Sequence, residues 1–228
     1  MSATNSSANP NAPLHLPDDA VHVWHFPYER AQGRAPLLEI LARYLGGTTD
    51  EVRLVAGEHG RPRLAEAPET TLDFNWSHCA GHAAVALARG LAPGIDIEPL
   101  GERANALRLA QRYFHPAETA ALATLPAQER SRAFLELWTA KEALLKALGR
   151  GLAFGLHRLQ VSCGPAPRLL ALEGDNPAAW QLHRLQTEDD LVTTLAWRGG
   201  PRRIILRAWG TTSPAPTSAT THSGGPVG

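Results

Sequence analysis

The order of strand-like and helical patterns limits the folds that this chain can adopt. Short strand patterns separated by Gly- and Pro-containing turns form one group before Pro99 and another after residue 155, and a helical stretch lies between them. The first group also contains a helical pattern at residues 35–47, which ends at glycines. Strands joined mostly by hairpins, with helices set apart from them, favour an α+β fold over a doubly wound parallel sheet.

The individual patterns predict the following elements. Strands are predicted at residues 21–26, 53–57, 72–77, 82–88, 94–98, 156–161, 168–172, 180–186, 191–197 and 203–209, and helices at 35–47, 102–114, 116–125 and 127–148. Both chain ends have too few apolar residues to offset the entropy of ordering them. The chain is therefore divided into a disordered N-terminus (1–18), an N-terminal α+β half (19–98), a C-terminal α+β half (99–210) and a disordered tail (211–228).

Composition excludes several classes of function. The 228 residues include 22 basic and 22 acidic side chains, so no net positive charge favours a nucleic acid. The two cysteines, Cys79 and Cys163, have no metal-ligand spacing and predict neither a zinc site nor a disulfide framework. No signal peptide or membrane-spanning stretch is recognised. We therefore expect a cytoplasmic protein with no membrane and no nucleic-acid partner.

The segment GIDIE, residues 94–98, places two carboxylates on one face of a predicted strand. Ile95 and Ile97 alternate with Asp96 and Glu98, so the isoleucines enter the core and both acids point the other way, roughly 6–7 Å apart. Such a pair suits a hard cation, because Mg²⁺ takes one or two carboxylates and completes its shell with waters and phosphates. A solvated strand face before Pro99 explains the same pattern and stays open.

The helix predicted at residues 127–148 carries a third carboxylate and the only two lysines of the chain, Lys141 and Lys146. Glu142 and Lys146 are four residues apart and share one helix face. An exposed pair of this kind stabilises a helix by only about 0.2–0.5 kcal/mol, and that interpretation also stays open. Together with Asp96 and Glu98, however, the pair would complete a site for a metal ion and a phosphate.

These segments resemble the 4′-phosphopantetheinyl transferase superfamily, whose signature is G-x-D-x-E followed by W-x-x-K-E-A-x-x-K-x-x-G-x-G. Every fixed position of the second motif is present in WTAKEALLKALGRG, residues 138–151. Three more segments agree in order: HGRPRL (59–64), with Arg61 where Lys is usual, FNWSHC (74–79) and RYFHPAE (112–118). The resemblance spans residues 59–152 and is strong because several motifs occur together.

The resemblance implies both the fold and the reaction. The fold would consist of two pseudo-symmetric α+β halves with the active site between them, as in the monomeric, surfactin-synthetase-activating branch. The reaction would transfer 4′-phosphopantetheine from coenzyme A to a serine of an apo acyl or peptidyl carrier protein, which makes the enzyme a holo-carrier-protein synthase (EC 2.7.8.7) and releases adenosine 3′,5′-bisphosphate. Fatty-acid, polyketide and nonribosomal-peptide carriers all stay open as partners.

The resemblance also implies roles for particular residues. Asp96, Glu98 and Glu142 would hold Mg²⁺, and Glu142 and Lys146 would be catalytic, Glu142 as the base and Lys146 at the phosphates. Coenzyme A would contact six residues: Arg34, Arg61, Ser77, His78, Lys141 and Lys146. For His78, an ordinary packed or solvent-facing histidine is the alternative, and only its place in NWSH singles it out. Cys79 is read as a small buried residue with no chemistry.

Two other functions account for the same carboxylates and lysine. A Mg²⁺-dependent nuclease-like phosphodiester enzyme would need them, but zero net charge and the lack of a basic-aromatic stripe count against it. A catalytically silent carrier-protein-binding module would have no need of all four side chains.

Overall fold

In the computed structural model, which describes residues 13–65, 71–164, 166–187 and 190–209, four helices and eleven strands form four layers. The helices are α1 (Ala35–Leu45), α2 (Ala106–Tyr113), α3 (Pro116–Thr124) and α4 (Ala127–Leu148). The strands are β1 (Ala20–Tyr28), β2 (Leu54–Ala56), β3 (Pro62–Leu64), β4 (Leu72–Cys79), β5 (Gly81–Arg89), β6 (Gly94–Pro99), β7 (Leu159–Val161), β8 (Leu169–Leu172), β9 (Trp180–Leu185), β10 (Leu191–Arg198) and β11 (Arg203–Ala208).

Two main sheets form the centre of the molecule. The first sheet has the order β11-β1-β5-β4, in which only the β1–β11 pair is parallel, and the second has the antiparallel order β6-β10-β9. Strands β2 and β3, and likewise β7 and β8, form separate two-stranded sheets. Strands and helices are thus segregated into layers, which confirms the predicted α+β class.

Alternation along each strand divides the core into three clusters. In β5, Val85 and Leu87 pack with α1, whereas Ala84 and Ala86 face the second sheet. In β10, Leu195 and Trp197 face the first sheet and Val192 and Ala196 face α4. The layer order is therefore α1, first sheet, second sheet and α4 with its neighbouring helices. Every layer buries apolar surface, which is the main stabilising contribution to folding.

The predicted element boundaries agree closely for the longest helix and differ for α2. Helix α4 spans the predicted residues 127–148, and Gly149 ends it in the left-handed conformation with φ 73°. Helix α2 begins at Ala106 and not near residue 102, because the preceding backbone makes tertiary bonds: Leu100 N donates to Asp190 O and Arg103 N donates to Ser131 Oγ.

The described part of the N-terminus, residues 13–18, is packed and not disordered as predicted. Residues 13–18 are described, and Leu14 N donates to Arg43 O while Leu16 is buried, so packing begins before residue 19. The rest of the N-terminus and the tail at 211–228 lie outside the described residues. Strand β6 pairs with β10, and β11 pairs with β1, so each main sheet contains strands from both sides of residue 98. The division into two halves at that residue stays a prediction.

Candidate active site

Strand β6 lies directly against helix α4, and this contact creates the site. A Cβ atom added to Gly94 would lie 2.0 Å from Ala143 O and 2.5 Å from Ala147 N, so only glycine allows the strand to approach the helix so closely. Ile95 and Ile97 enter the core between the sheets, as predicted, and leave Asp96 and Glu98 on the side of α4. The carboxylates therefore face the turns of α4 that carry Glu142 and Lys146.

The Lys146 ammonium is held at the centre of the site. Its Nζ lies 2.7 Å from Asp96 Oδ1 and donates hydrogen bonds to Ser77 Oγ at 2.9 Å and to Ile95 O at 3.0 Å. Ser77 Oγ also donates to Asp96 Oδ1 at 2.9 Å. The Lys146 side chain is 26% exposed, so a ligand can reach a positive charge whose position is already fixed by three bonds.

The two glutamates of the cluster, Glu98 and Glu142, are destabilised as anions. Burial raises the pKa of Glu142 to about 7; Asp96 and Glu98 raise it further, and Lys146 opposes the rise. Burial and the Asp96 charge also raise the pKa of Glu98, although Arg103 lies 3.4 Å from its carboxylate. Because the Asp96 charge disfavours ionisation of both glutamates, an added cation would relieve the repulsion within the cluster.

Two buried oxygens show that this donor set suits a cation. Asp96 Oδ2 and Glu142 Oε1 are buried and have no hydrogen-bond partner among the described residues. Across the same described ranges, no group of three or more His, Cys, Asp and Glu side chains is already arranged to hold a metal ion. Mg²⁺ does not require such a cage, because one or two carboxylates suffice when waters and phosphates complete its shell. The residues therefore fit Mg²⁺ by charge and by donor type.

The structure separates Ser77 from His78. They are consecutive residues of β4, so their side chains leave opposite faces of the strand. Ser77 is buried beside Asp96 and Lys146, whereas His78 is exposed, with its ring centroid 5.1 Å from that of Tyr28. Partial burial, Arg30 and Lys146 lower the pKa of His78, so positive charge lies near its exposed ring.

Arg34 and Arg61 are not bonded to Ser77 or His78 in the described part of the chain. Arg34 is an exposed N-cap residue of α1, and no hydrogen bond or ion pair within the described ranges joins its guanidinium to the other site residues. Arg61 has a side chain only 10% exposed and bonds to oxygens of Lys146, Asp73, Phe74 and Pro93. Its guanidinium is therefore used within the protein.

Lys141 is enclosed in the core, which is at odds with its predicted contact with coenzyme A. It is 0% exposed, and its Nζ lies 2.7 Å from Glu118 Oε2 and donates to Leu156 O at 2.9 Å and Leu159 O at 2.6 Å. The ammonium also lies 5.2 Å from the Phe114 ring centroid. Lys141 precedes Lys146 by five residues, so the two lysine side chains point about 140° apart around the helix axis.

Sequence reasoning missed three residues that support the site. Asn75 Oδ1 accepts a hydrogen bond from Ile95 N at 2.9 Å and so joins β4 to β6, and Thr139 and Thr194 share a 2.9 Å bond between α4 and β10. A signal existed for Asn75, because it alternates with the apolar Phe74 and Trp76 in a strand and shares a face with Ser77. The threonine pair has no comparable signal, since its members lie 55 residues apart.

The fold and the site together define an α+β protein with a carboxylate-lysine cluster suited to a metal ion and a phosphate. Comparisons with known proteins identify the family. The family profile described as the 4′-phosphopantetheinyl transferase superfamily matches residues 92–196. The 4′-phosphopantetheinyl transferase HetI of Nostoc sp. is 34% identical over 181 residues, which cover 77% of this chain and 74% of that protein. The chain belongs to the 4′-phosphopantetheinyl transferase family, which confirms the resemblance seen in the motifs.

Other matches are shorter. The slr0495 protein of Synechocystis sp. is 32% identical over 126 residues, 55% of this chain and 51% of that protein. The 4′-phosphopantetheinyl transferase Sfp of Bacillus subtilis is 28% identical over 122 residues, 54% of this chain and 52% of that protein. The chain thus spans about half the length of these two relatives. The crystal structure of Thermotoga maritima holo-[acyl-carrier-protein] synthase matches with a TM-score of 0.35 and 21% identity over 49% of this chain and 64% of that chain. Among the described helices, none has the length and apolar character needed to cross a membrane.

Proposed function

We propose that this protein transfers the 4′-phosphopantetheine group from coenzyme A to a serine of an apo acyl or peptidyl carrier protein in a Mg²⁺-dependent reaction. The observation that carries the proposal is the cluster in which Asp96 and Glu142 have unpartnered buried oxygens beside the fixed ammonium of Lys146. This cluster lies within the segment that matches the family profile. The products would be the holo carrier protein and adenosine 3′,5′-bisphosphate, as in an enzyme of the holo-carrier-protein synthase type.

In this proposal Asp96, Glu98 and Glu142 hold the Mg²⁺ ion. When bound, the metal neutralises charge on the phosphate oxygens of coenzyme A. Lys146 adds a second positive charge at the same group, as a compact ammonium fixed by its bonds to Ser77, Ile95 and Asp96. Preorganised charge of this kind stabilises a transition state without reorganisation at the moment of reaction.

Glu142 is the proposed general base. The carrier serine Oγ attacks the β-phosphorus, its proton passes to the Glu142 carboxylate, and the bond from that phosphorus to the bridging oxygen breaks as adenosine 3′,5′-bisphosphate leaves. Without a metal ion, burial raises the pKa of Glu142 to about 7, and a bound Mg²⁺ would lower that pKa and so favour the ionised carboxylate that accepts the proton. The oxygen Oε1 of Glu142 has no competing hydrogen-bond partner in the described chain.

The exposed face next to the cluster is proposed to bind the nucleotide end of coenzyme A. His78 lies there within reach of the Arg30 charge, and both side chains are exposed. Positive and hydrogen-bonding groups at this place suit the 3′-phosphate. Arg34, also exposed, is proposed to add charge from the start of α1. We further propose a cytoplasmic monomer, and the two cysteines, which are free, suit a reducing compartment.

A transfer assay tests the function. The protein is incubated with coenzyme A, Mg²⁺ and several apo carrier proteins, and intact mass spectrometry measures the fraction of carrier that gains one phosphopantetheine group. We expect transfer by the wild type, loss of transfer in excess EDTA, and loss in Glu142→Gln. The control Glu39→Gln, which changes an exposed acid on α1, should transfer normally. Absence of the mass increment with every carrier, or full activity of Glu142→Gln, would contradict the proposal.

A further inference from the structure

One arginine side chain connects the three segments that carry the cluster. Arg61 lies just before β3, and its Nη1 donates to Lys146 O at 2.8 Å. Its Nη2 contacts three further oxygens, Asp73 Oδ1 at 3.0 Å, Phe74 O at 2.9 Å and Pro93 O at 3.1 Å. Three of these four acceptors are backbone carbonyls, so the guanidinium fixes the course of the main chain as well as a side chain.

Each partner belongs to a segment with a role in the site. Lys146 O is in the last turn of α4 and belongs to the same residue whose ammonium pairs with Asp96. Phe74 O is in β4, three residues before Ser77. Pro93 O precedes Gly94, where β6 begins and comes against α4. Arg61 therefore ties together the helix, the edge strand of the first sheet and the strand that carries the carboxylates.

An arginine suits these acceptors better than a lysine would. Lys146 O also accepts a hydrogen bond from Gly149 N at 3.2 Å, and a cation at this C-terminal end of the helix interacts favourably with the helix dipole. The planar guanidinium presents several N–H groups in a fixed fork and can bond acceptors on different segments at once, whereas an ammonium is a compact point charge. The side chain is 10% exposed, so these bonds also occupy the charge that a phosphate would need.

We propose that Arg61 is a positioning residue for the transfer reaction and does not bind coenzyme A itself. This inference rests on the proposed function. By joining α4, β4 and β6, Arg61 keeps the Lys146 ammonium and the carboxylates of Asp96 and Glu142 at the distances that the reaction needs. A displacement of about 1 Å at such a site lowers a rate by as much as about 100-fold.

Steady-state kinetics separate positioning from binding. kcat and KM are measured for Arg61→Ala, Arg61→Lys and His78→Ala with coenzyme A and with dephospho-coenzyme A, which lacks the 3′-phosphate. Arg61→Ala should lower kcat about 10- to 100-fold, equally for both substrates, with little change in KM. Arg61→Lys should fall between Ala and wild type, and added guanidinium ion should restore part of the kcat of Arg61→Ala. If Arg61→Ala instead raises KM for coenzyme A and leaves dephospho-coenzyme A unaffected, Arg61 contacts the 3′-phosphate and the inference is wrong.

A second readout does not depend on turnover. In hydrogen-deuterium exchange, Arg61→Ala and Arg61→Lys should increase amide exchange at residues 93–99 and 145–149 and leave α1 unchanged. The control Arg202→Ala removes another arginine that donates to backbone carbonyls, those of Asp18 and Arg89, and should leave these two segments unchanged. Wild-type protein that shows no transfer would contradict the proposed function, while the exchange experiment would still test whether Arg61 holds α4, β4 and β6 together. Unchanged exchange in both Arg61 variants would overturn the positioning role of Arg61.

Discussion

The two lysines of this chain have opposite environments although they lie in one helix. Lys146 is partly exposed at the site, whereas Lys141 is fully buried. The carboxylate of Glu118, also buried, lies 2.7 Å from the Lys141 ammonium and accepts hydrogen bonds from Val161 N and His115 N. The pair thus joins α4 to the start of α3 and to β7. The bonds of Lys141 hold the turn of α4 that also carries the adjacent Glu142.

Replacement of Lys141 should cost far more stability than an exposed ion pair does. Lys141→Met leaves the Glu118 carboxylate buried without its cation, and we expect the free energy of unfolding to fall by about 3–5 kcal/mol. Urea denaturation measures this change. Each single variant leaves one buried charge without its partner, whereas the double variant Lys141→Met with Glu118→Gln leaves none. The double variant should therefore lose less stability than the sum of the two single variants. Additive losses would show that the two side chains do not interact.

At the residue scale, the motifs predicted the cluster but not the partners of each cation. Asp96, Glu98, Glu142 and Lys146 could be found because spacing within one strand or one helix brings their side chains to a common face. The partner of Lys141 could not, since Glu118 lies in a different helix. Arg61 was singled out as a coenzyme A contact, but its acceptors could not be predicted for the same reason, because they become neighbours only when the sheets and α4 have packed.

At the element scale, the contact between β6 and α4 determines whether the site can form. Gly94 is needed there because its neighbours, Ala143 O and Ala147 N, are backbone atoms that a methyl group cannot displace cheaply. The close approach of the β6 and α4 backbones therefore explains why GIDIE begins with glycine. The strand has no unusual φ at this position, so conformational freedom is not the reason.

Gly94→Ala should therefore separate β6 from α4. We expect the free energy of unfolding to fall by about 1–3 kcal/mol or more, as for overpacked cores, and transfer activity to fall because Asp96 moves away from Lys146. Urea denaturation and the transfer assay check both effects. Gly101→Ala is the matched control, because a Cβ at Gly101 meets nothing within 4 Å. A Gly94→Ala protein as stable and active as the control would show that the contact is not restrictive.

Element boundaries were predictable where local signals decide them. The apolar spacing of α4 and its glycine cap gave both ends of the helix. The start of α2 was wrong by several residues, because the bonds of Leu100 and Arg103 to distant groups outweigh the helical pattern there.

At the scale of the whole molecule, strands from the two ends of the chain complete the first sheet. Strand β11 pairs with β1 in parallel, with Val23 opposite Leu206 and Trp24 opposite Arg207. No turn joins these strands, and more than 170 residues separate them, so neither alternation nor turn signals could predict the pairing. Periodicity identifies the strands, but their order in the sheets depends on packing across the four layers.

His22 lies where β1, α1 and β11 meet, and it makes the stability of this arrangement depend on pH. Its Nδ1 lies 2.7 Å from Tyr44 Oη and accepts a hydrogen bond from Arg207 Nε at 3.1 Å, while the side chain is fully buried. Burial lowers the pKa of His22 to about 3, with Arg207, Arg203 and His15 adding to the effect. The folded protein therefore keeps this imidazole neutral at pH values where the unfolded chain protonates it.

The sign of the pH effect follows from these two protonation states. Between about pH 6.5 and pH 3 the unfolded chain binds the His22 proton and the folded chain does not, so acidification lowers stability by up to about 1.4 kcal/mol per pH unit. Glu142 acts in the opposite direction between about pH 4.5 and 7, because its folded pKa is raised. The contribution of His22 is therefore obtained as a difference between two proteins and not from the wild-type curve alone.

His22→Asn provides that difference. The Asn carboxamide oxygen replaces Nδ1 as an acceptor for Arg207 and Tyr44 but does not titrate. The free energy of unfolding of both proteins is measured by urea denaturation from pH 7.5 to pH 5. Wild type should lose stability relative to His22→Asn as the pH falls below about 6.5, with the gap widening by about 1 kcal/mol per unit near pH 5. Parallel curves would mean that His22 becomes protonated in the folded protein, and that β11 and α1 rearrange enough to accept a charge beside Arg207.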